Sequence, residues 1–258
     1  MSANVAILLC AGYGTRMGAL TASTPKPLLT VAGRPVIDYL VDQLASWPEL
    51  ATVHVVSNSR YAAAFRAWAG GQAALPFRLE IHDDGSSTPD DRRGAVGDLA
   101  FVLDTVGYPD GALVAAGDNV LRFVLRPLWD AFLARREPCV LALREDDPAR
   151  LRKTGVLELA DDGRVRRLWE KPSEPPSSWA CPPFYALTAA ALRRLPAYLA
   201  AGHPSDEIGR FIAHLAEREP VWVTRVDGRR LDVGSPESYR RADEILRREP
   251  VLFDGVVS

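Results

Sequence analysis

The sequence predicts an α/β protein: a mostly parallel, Rossmann-like central sheet with helices on both faces, then a smaller mixed β portion. Three features carry that expectation. Short apolar runs alternate with amphipathic stretches through the first half, as buried parallel strands joined by crossover helices do. Two of those runs end in glycine-bearing polar segments, Ala11-Gly12-Tyr13-Gly14 and Gly117-Asp118-Asn119. In the second half, strand-like runs follow one another with turn residues between them.

The elements follow in order. Val5 to Cys10 is continuously apolar and reads as a buried strand feeding a glycine loop. Pro35 to Trp47 has helical spacing, with Val36, Ile37, Leu40, Val41 and Leu44 on one side and Gly33 and Pro35 marking its start. Val53 to Val56 is a strand, Tyr61 to Trp68 a helix, and Phe77 to Ile81 an alternating strand. Asp83 to Gly94 is polar and interrupted by Gly85 and Pro89, so it is a long loop. Ala95 to Leu103 is helical, and Leu113 to Ala116 is a buried strand. Beyond it, Val140 to Leu143, Val156 to Leu159, Val165 to Trp169, Phe184 to Leu187 and Val221 to Val226 are short strands, with a hairpin signal at Asp161-Asp162-Gly163. Pro172 to Pro183 reads as a loop, and Asp206 and Glu207 as first-turn acids of a helix. Pro236 to Arg247 closes the chain as a helix capped by Ser235.

Composition bounds the function. The 258 residues suffice for a full core in one domain. A net charge of −2, with arginines scattered among acids, argues against a nucleic-acid or membrane surface role. Cys10, Cys139 and Cys181 are widely spaced and form no CxxC pair, which fits a reducing compartment rather than a disulfide framework. His54, His82, His203 and His214 show no metal-binding spacing and read as structural or surface groups. The start of the chain has no basic n-region, and the protein is expected to be cytoplasmic. Among 31 basic residues only Lys26, Lys153 and Lys171 are lysines. Lys26 sits in Thr24-Pro25-Lys26-Pro27 and Lys171 in Glu170-Lys171-Pro172, places where a compact point charge suits phosphate.

Ligands of open α/β sheets bind at the carboxyl ends of strands. The loop Gly12-Tyr13-Gly14-Thr15-Arg16-Met17 lets backbone N–H groups approach phosphate oxygens. No Gly-Lys-Ser/Thr closes it, and Met17 stands where a dinucleotide fingerprint has its third glycine. Alone, it also fits a tight structural turn. Arg16 and Lys26 nearby turn it into a clamp for a triphosphate. Asp118 at a strand end suits Mg²⁺, which takes one or two carboxylates and completes its shell with phosphate and water. Asp232 in Leu231-Asp232-Val233-Gly234 is a second acid able to share the ion.

These segments, with Pro25-Lys26-Pro27-Leu28, Gly33-Arg34-Pro35-Val36-Ile37, Gly155 and Glu170-Lys171-Pro172, fall in one order along nearly the whole chain. In that order the chain resembles the sugar-1-phosphate nucleotidyltransferases, particularly glucose-1-phosphate thymidylyltransferases. The resemblance implies the nucleotide-diphospho-sugar transferase fold and a single domain over 1–258. Approximately 1–135 would be the nucleotide-binding half, 136–235 the sugar-binding half, and 236–258 a C-terminal helix and tail. It implies transfer of a nucleoside monophosphate from a nucleoside triphosphate to a sugar 1-phosphate, with Mg²⁺ and release of pyrophosphate. Arg16 and Lys26 would be catalytic, and Asp118 and Asp232 would hold the metal. Leu9, Ala11, Gly12, Gly14, Thr15, Asp84, Gly85 and Gly94 would bind nucleotide. Gly155, Glu170, Lys171 and Asn119 would bind the sugar phosphate. Two other readings stay open: a cytidylyltransferase acting on a non-sugar phosphate, phosphonate or cyclitol phosphate, and a catalytically silent nucleotide-binding regulator. The resemblance leaves room for a homo-oligomer. Where the thymidylyltransferases have a Gln-Pro stretch and a Leu-Ala-Gln segment, this chain has Asp83-Asp84-Gly85 and Arg93-Gly94-Ala95-Val96-Gly97-Asp98, which leaves the base open.

Overall fold

The computed structural model describes residues 4–251. Met1 to Ala3 and the tail expected beyond 251 lie outside them. Strand β1 (Asn4–Leu9) enters the glycine loop, which continues as 3-10 turns over Thr15–Thr21 and Lys26–Leu28. A hairpin of β2 (Thr30–Val31) and β3 (Arg34–Pro35) precedes helix α1 (Val36–Ala45). There follow β4 (Leu50–Ser57), α2 (Ala62–Gly70), β5 (Arg78–Asp83), α3 (Gly94–Val106), β6 (Gly111–Ala116), β7 (Asn119–Leu121) and α4 (Arg126–Arg135). The second half runs β8 (Cys139–Arg144), α5 (Pro148–Leu151), β9 (Gly155–Leu159), β10 (Val165–Glu170), β11 (Trp179–Cys181), β12 (Phe184–Thr188), α6 (Ala189–Leu192), α7 (Leu195–Ala200), α8 (Ile208–Ala216), β13 (Trp222–Val226), β14 (Arg230–Asp232) and α9 (Pro236–Arg248).

One large mixed sheet organises the molecule, in the order β10-β9-β11-β8-β12-β6-β1-β4-β5, with β13 beside β8. Through β6-β1-β4-β5 it is parallel. Strand β12 turns it antiparallel on both sides, and β11 and β10 continue in that sense. Apart from β14, which pairs with β7 in a separate ribbon, the second-half strands therefore extend the first sheet.

Helices cover both faces, as a parallel sheet requires. On one face α1, α2 and α4 pack Leu40, Phe65 and Trp129 against Ala6, Val55 and Leu141. On the other, α3, α7 and α8 pack Leu99, Tyr198 and Phe211 against Ile7, Val114 and Val140. A third cluster seats Ala242 and Leu246 of α9 on Met17, Val31 and Tyr39. Helix α9 is well terminated: Ser235 and Ser238 form a capping box, Glu237 lies in the first turn, and Arg247 and Arg248 lie in the last. From α9, Asp243 Oδ1 accepts from the Ala32 N–H at 2.7 Å, and Tyr239 Oη donates to Thr30 O at 2.8 Å. The last helix thus braces the segment that carries Arg16 and Lys26.

Helix α4 was not among the expected elements, although Pro127 in its first turn is a start signal. Strand β11 lies inside the expected loop from Pro172 to Pro183. Three residues flanked by prolines show no period; Ala180 becomes strand because Leu143 and Val156 offer partners on both sides. The three-residue pair β7 and β14 is equally unreadable locally.

Candidate active site

A cleft of about 350 Å³ opens where β1 and β6 end, closed by the loop after β5 and by the starts of α3 and α8. Of the residues expected to bind nucleotide, Leu9, Ala11, Gly12, Gly14, Thr15, Asp84 and Gly94 line it; Arg16, Lys26 and Asp118 join them. Asn58, fully buried, donates from Nδ2 to Ala11 O at 2.7 Å and holds the loop. Tyr61 Oη donates to Thr21 O at 2.6 Å. Gly14 is favoured as glycine on two counts. Its φ is +62°, and a Cβ there would lie 3.0 Å from Thr21 Cγ2 and 3.2 Å from Lys26 Cγ. The loop therefore lies directly against the lysine stem.

Lys26 Nζ donates to Asp118 Oδ2 at 2.8 Å. Asn119 Nδ2 donates to Asp118 Oδ1 at 2.9 Å, and Asn119 Oδ1 accepts from Arg230 at 3.1 Å. Burial pushes the Asp118 carboxyl up; Lys26, with help from Arg230, more than offsets it and leaves it below the ordinary carboxylate range. Asn119 is buried, with its amide committed to Asp118 and Arg230, and it does not line the cleft. Asp232 stands opposite Asn119 in the β7–β14 pair, and its carboxylate folds over Gly234, which does line the cleft. Two hard oxygen donors thus come from neighbouring positions, Asp118 from the turn that opens β7 and Asp232 from β14 paired with β7, the first already ionised beside a cation. That donor set fits Mg²⁺ and offers nothing to a softer metal.

A pair of acids sits at the opposite wall. Asp84 Oδ1 accepts from the N–H and the hydroxyl of Ser86, each at 2.7 Å. Among the described residues, Asp84 Oδ2 and Asp98 Oδ1 are buried without a partner. A proton on Asp98 given to Asp84 would satisfy both. Burial, and then the Asp84 carboxylate, push Asp98 up to about 8. An unfolded aspartate titrates near 3.9, so the folded state holds this proton more tightly. The stabilisation it contributes is complete below a pH of about 4 and is lost as pH rises towards 8. Asp98→Asn keeps a donor and removes the titration. We expect the melting temperature of the native chain to fall relative to that variant between about pH 5 and 8, with the variant the more stable at about pH 8. Parallel melting curves across that range would sink the shared proton.

The remaining expected residues gather beyond the cleft. Glu170 pairs with Gly155 in the β10–β9 register, and Gly155 also pairs with Cys181. Burial raises the Glu170 carboxyl, with Lys171 opposing. Lys171 has φ +48°, a left-handed conformation uncommon outside glycine. Its Nζ donates to Glu207 Oε1 at 2.9 Å. Gly85, at φ +82°, is exposed and outside the cleft lining, its N–H given to Asp83.

Asp206 and Glu207 correct the sequence reading. They precede α8 instead of filling its first turn. Asp206 lines the cleft and meets Arg92 at 3.2 Å; Glu207 takes Lys171 and Arg210. Gly209 leaves no room for a side chain, because the Glu170 carboxylate occupies the place of its Cβ. Gly94, at φ +77°, is as tight: a Cβ would lie 2.5 Å from Ser205 O. Sequence reasoning missed Cys10, Arg92, Asp98, Asp206, Ile208 and Arg230. Their only local signal was proximity to glycines, and tertiary contact selects them.

The family model described as nucleotidyl transferase matches residues 5–249. A UTP–glucose-1-phosphate uridylyltransferase of Haloferax volcanii is 26% identical over 245 residues, covering 95% of this chain and 97% of that one. A mannose-1-phosphate guanylyltransferase of Mycobacterium tuberculosis is 30% identical over 94% of this chain and 64% of its own length. The crystal structure of a UDP-glucose pyrophosphorylase complexed with UDP-glucose superposes with a TM-score of 0.80 at 17% identity, over 96% of this chain and all of that one, which is a likeness of fold.

Proposed function

The chain belongs to the nucleotidyl transferase family, and on that premise we propose that it transfers a nucleoside monophosphate from a nucleoside triphosphate to a sugar 1-phosphate. The observation that carries the proposal is the convergence of Arg16, Lys26 and Asp118 on one glycine-rich cleft at the carboxyl end of the sheet.

A phosphate oxygen of the acceptor attacks the α-phosphorus in line. A new P–O bond forms, the bond to the bridging oxygen breaks, and pyrophosphate leaves with the electron pair. The nucleophile is already anionic, so no general base is needed. The chain's task is positioning and charge neutralisation. Arg16 and the Lys26 ammonium neutralise the α-phosphate and the departing pyrophosphate. Lys26 is held for this by Asp118 on one side and the Gly14 turn on the other. Asp118 and Asp232 would hold Mg²⁺, which when bound adds neutralising charge on the phosphate oxygens. Asn119 and Arg230 orient Asp118. Leu9, Ala11, Gly12, Gly14, Thr15, Asp84 and Gly94 hold the nucleotide, with Gly85 shaping the loop after β5. Gly155 and Glu170 face the sugar, and Lys171 meets its phosphate.

In this reading 1–135 is the nucleotide half and 136–235 the acceptor half. The three cysteines are buried and free, which supports a cytoplasmic enzyme. No helix among the described residues is long and apolar enough to cross a membrane. The test is pyrophosphate release from dTTP, UTP, CTP, GTP and ATP, each offered with a panel of sugar 1-phosphates and with polyol phosphates, in Mg²⁺. Turnover with one sugar 1-phosphate is expected. Turnover confined to CTP with a polyol phosphate, or nucleotide binding without any turnover, would overturn the proposal.

A further inference from the structure

The sequence spacing of the histidines suggests no metal, but the register of β4 against β5 brings two of them together with an acid. His54 pairs with Glu80 and Val56 with His82, so His54, Glu80 and His82 share one face of the sheet. Val56 on that face packs in the core built around α3. His54 Nδ1 lies 3.0 Å from His82 Nε2 and 3.3 Å from Glu80 Oε2; His82 Nε2 lies 4.0 Å from that same oxygen. Among the described residues, no other group of three or more His, Cys, Asp or Glu has ligand atoms so close.

We infer that His54, Glu80 and His82 form a binding site for a borderline divalent cation of the Zn²⁺ type, separate from the nucleotide cleft. Tetrahedral Zn²⁺ with ligands about 2.0–2.1 Å away places those ligands about 3.3 Å apart. The three separations bracket that value, so small side-chain rotations close the set. Two imidazoles and a carboxylate, with a fourth position left for water, are a recurrent zinc donor set. The ion takes the place of the proton that now joins the two rings. Burial, and then the neighbouring His82, lower His54 to about 4, and burial lowers His82, so both rings are neutral and free to ligate near neutral pH. Glu80 is half-exposed and gives the site a route to solvent. Mg²⁺ prefers oxygen and has no reason to enter, so the two metal chemistries separate.

The site also has a neighbour of consequence. His82 is two residues from Asp84, which lines the cleft. A bound ion would fix the point where the chain leaves β5 for the loop from Asp84 to Arg93.

The test is Zn²⁺ titration of the full chain by calorimetry in saturating Mg²⁺, with Glu80→Gln and His82→Gln as variants and circular dichroism to confirm that both fold. One Zn²⁺ per native chain is expected. At a hundredfold excess over Kd the melting temperature rises by about 5–10 °C. Each variant weakens binding by roughly 10-fold or more. Co²⁺ in the site gives a tetrahedral visible spectrum without a sulfur-to-metal band. No Zn²⁺ uptake in Mg²⁺, variants that bind as tightly as the native chain, or a sulfur-to-cobalt band that moves the ion to a cysteine would each overturn the inference.

Discussion

Lys26→Ala lowers kcat by roughly 10²–10³-fold, the cost of removing one preorganised charge-stabilising group. The side chain is only 11% exposed, and its ammonium is already aimed by Asp118. No second lysine lies in the cleft lining. Arg16 also lines the cleft, but it is exposed, where its charge is screened by solvent. The loss falls on kcat because the charge matters most when pyrophosphate departs. Lys26→Arg recovers little, since a planar fork replaces the compact ammonium aimed by Asp118. Stability changes in the same variant: Asp118 loses its largest source of charge compensation and titrates at higher pH. Single-turnover pyrophosphate release beside a thermal melt separates the two effects. A folded Lys26→Ala enzyme with a near-native rate would remove Lys26 from the mechanism.

The largest effect on folding belongs to Trp129→Ala, at about 3–5 kcal/mol. Trp129 is fully buried between Trp47, with ring centroids 5.5 Å apart, and Phe132, at 4.9 Å. Both lie in the core under α1 and α4, so the cavity cannot fill from solvent or collapse without moving two helices. In a chain of this size the melting temperature drops by on the order of 10 °C. Trp129→Phe behaves differently. The Nε1 donors of Trp129 and Trp47 are both buried without a partner among the described residues. Phenylalanine removes one unpaired donor while losing some volume, and the two effects leave a net cost of about 1 kcal/mol. Chemical denaturation of the two variants checks the pair. Equal losses would mean that the ring volume phenylalanine retains does nothing for the core, against the cavity account.

The sequence disclosed most where its physics is local. The apolar run from Val5, the helical spacing after Pro35 and the Ser235 cap each act within a few residues, and β1, α1 and α9 lie where those signals place them. It disclosed less where structure depends on partners far along the chain. Ala180 is strand only between Leu143 and Val156, and Asp98 is unusual only because the fold buries it, beside Asp84. His54 and His82 looked unrelated at a separation of 28 residues until strand register joined them. In the site, the glycine loop and its cations were legible because phosphate binding needs a short, dense motif. Arg230, Asp206 and Ile208 were not, because each belongs to an ordinary stretch that the fold carries to the cleft or, for Arg230, to the Asn119 beside it.

The half-turn at the start of α8 serves two clients in alternation. Asp206 and Ile208 face the nucleotide cleft, while Glu207 holds Lys171 and Gly209 makes room for Glu170. In the proposed function, donor and acceptor recognition would therefore share a single ruler, one residue apart. An insertion or deletion here would exchange the two sets of faces at once. Engineers who seek a new acceptor should leave this segment's length untouched and vary β9, β10 and the stretch around β11, where the acceptor side can change without re-registering the donor side.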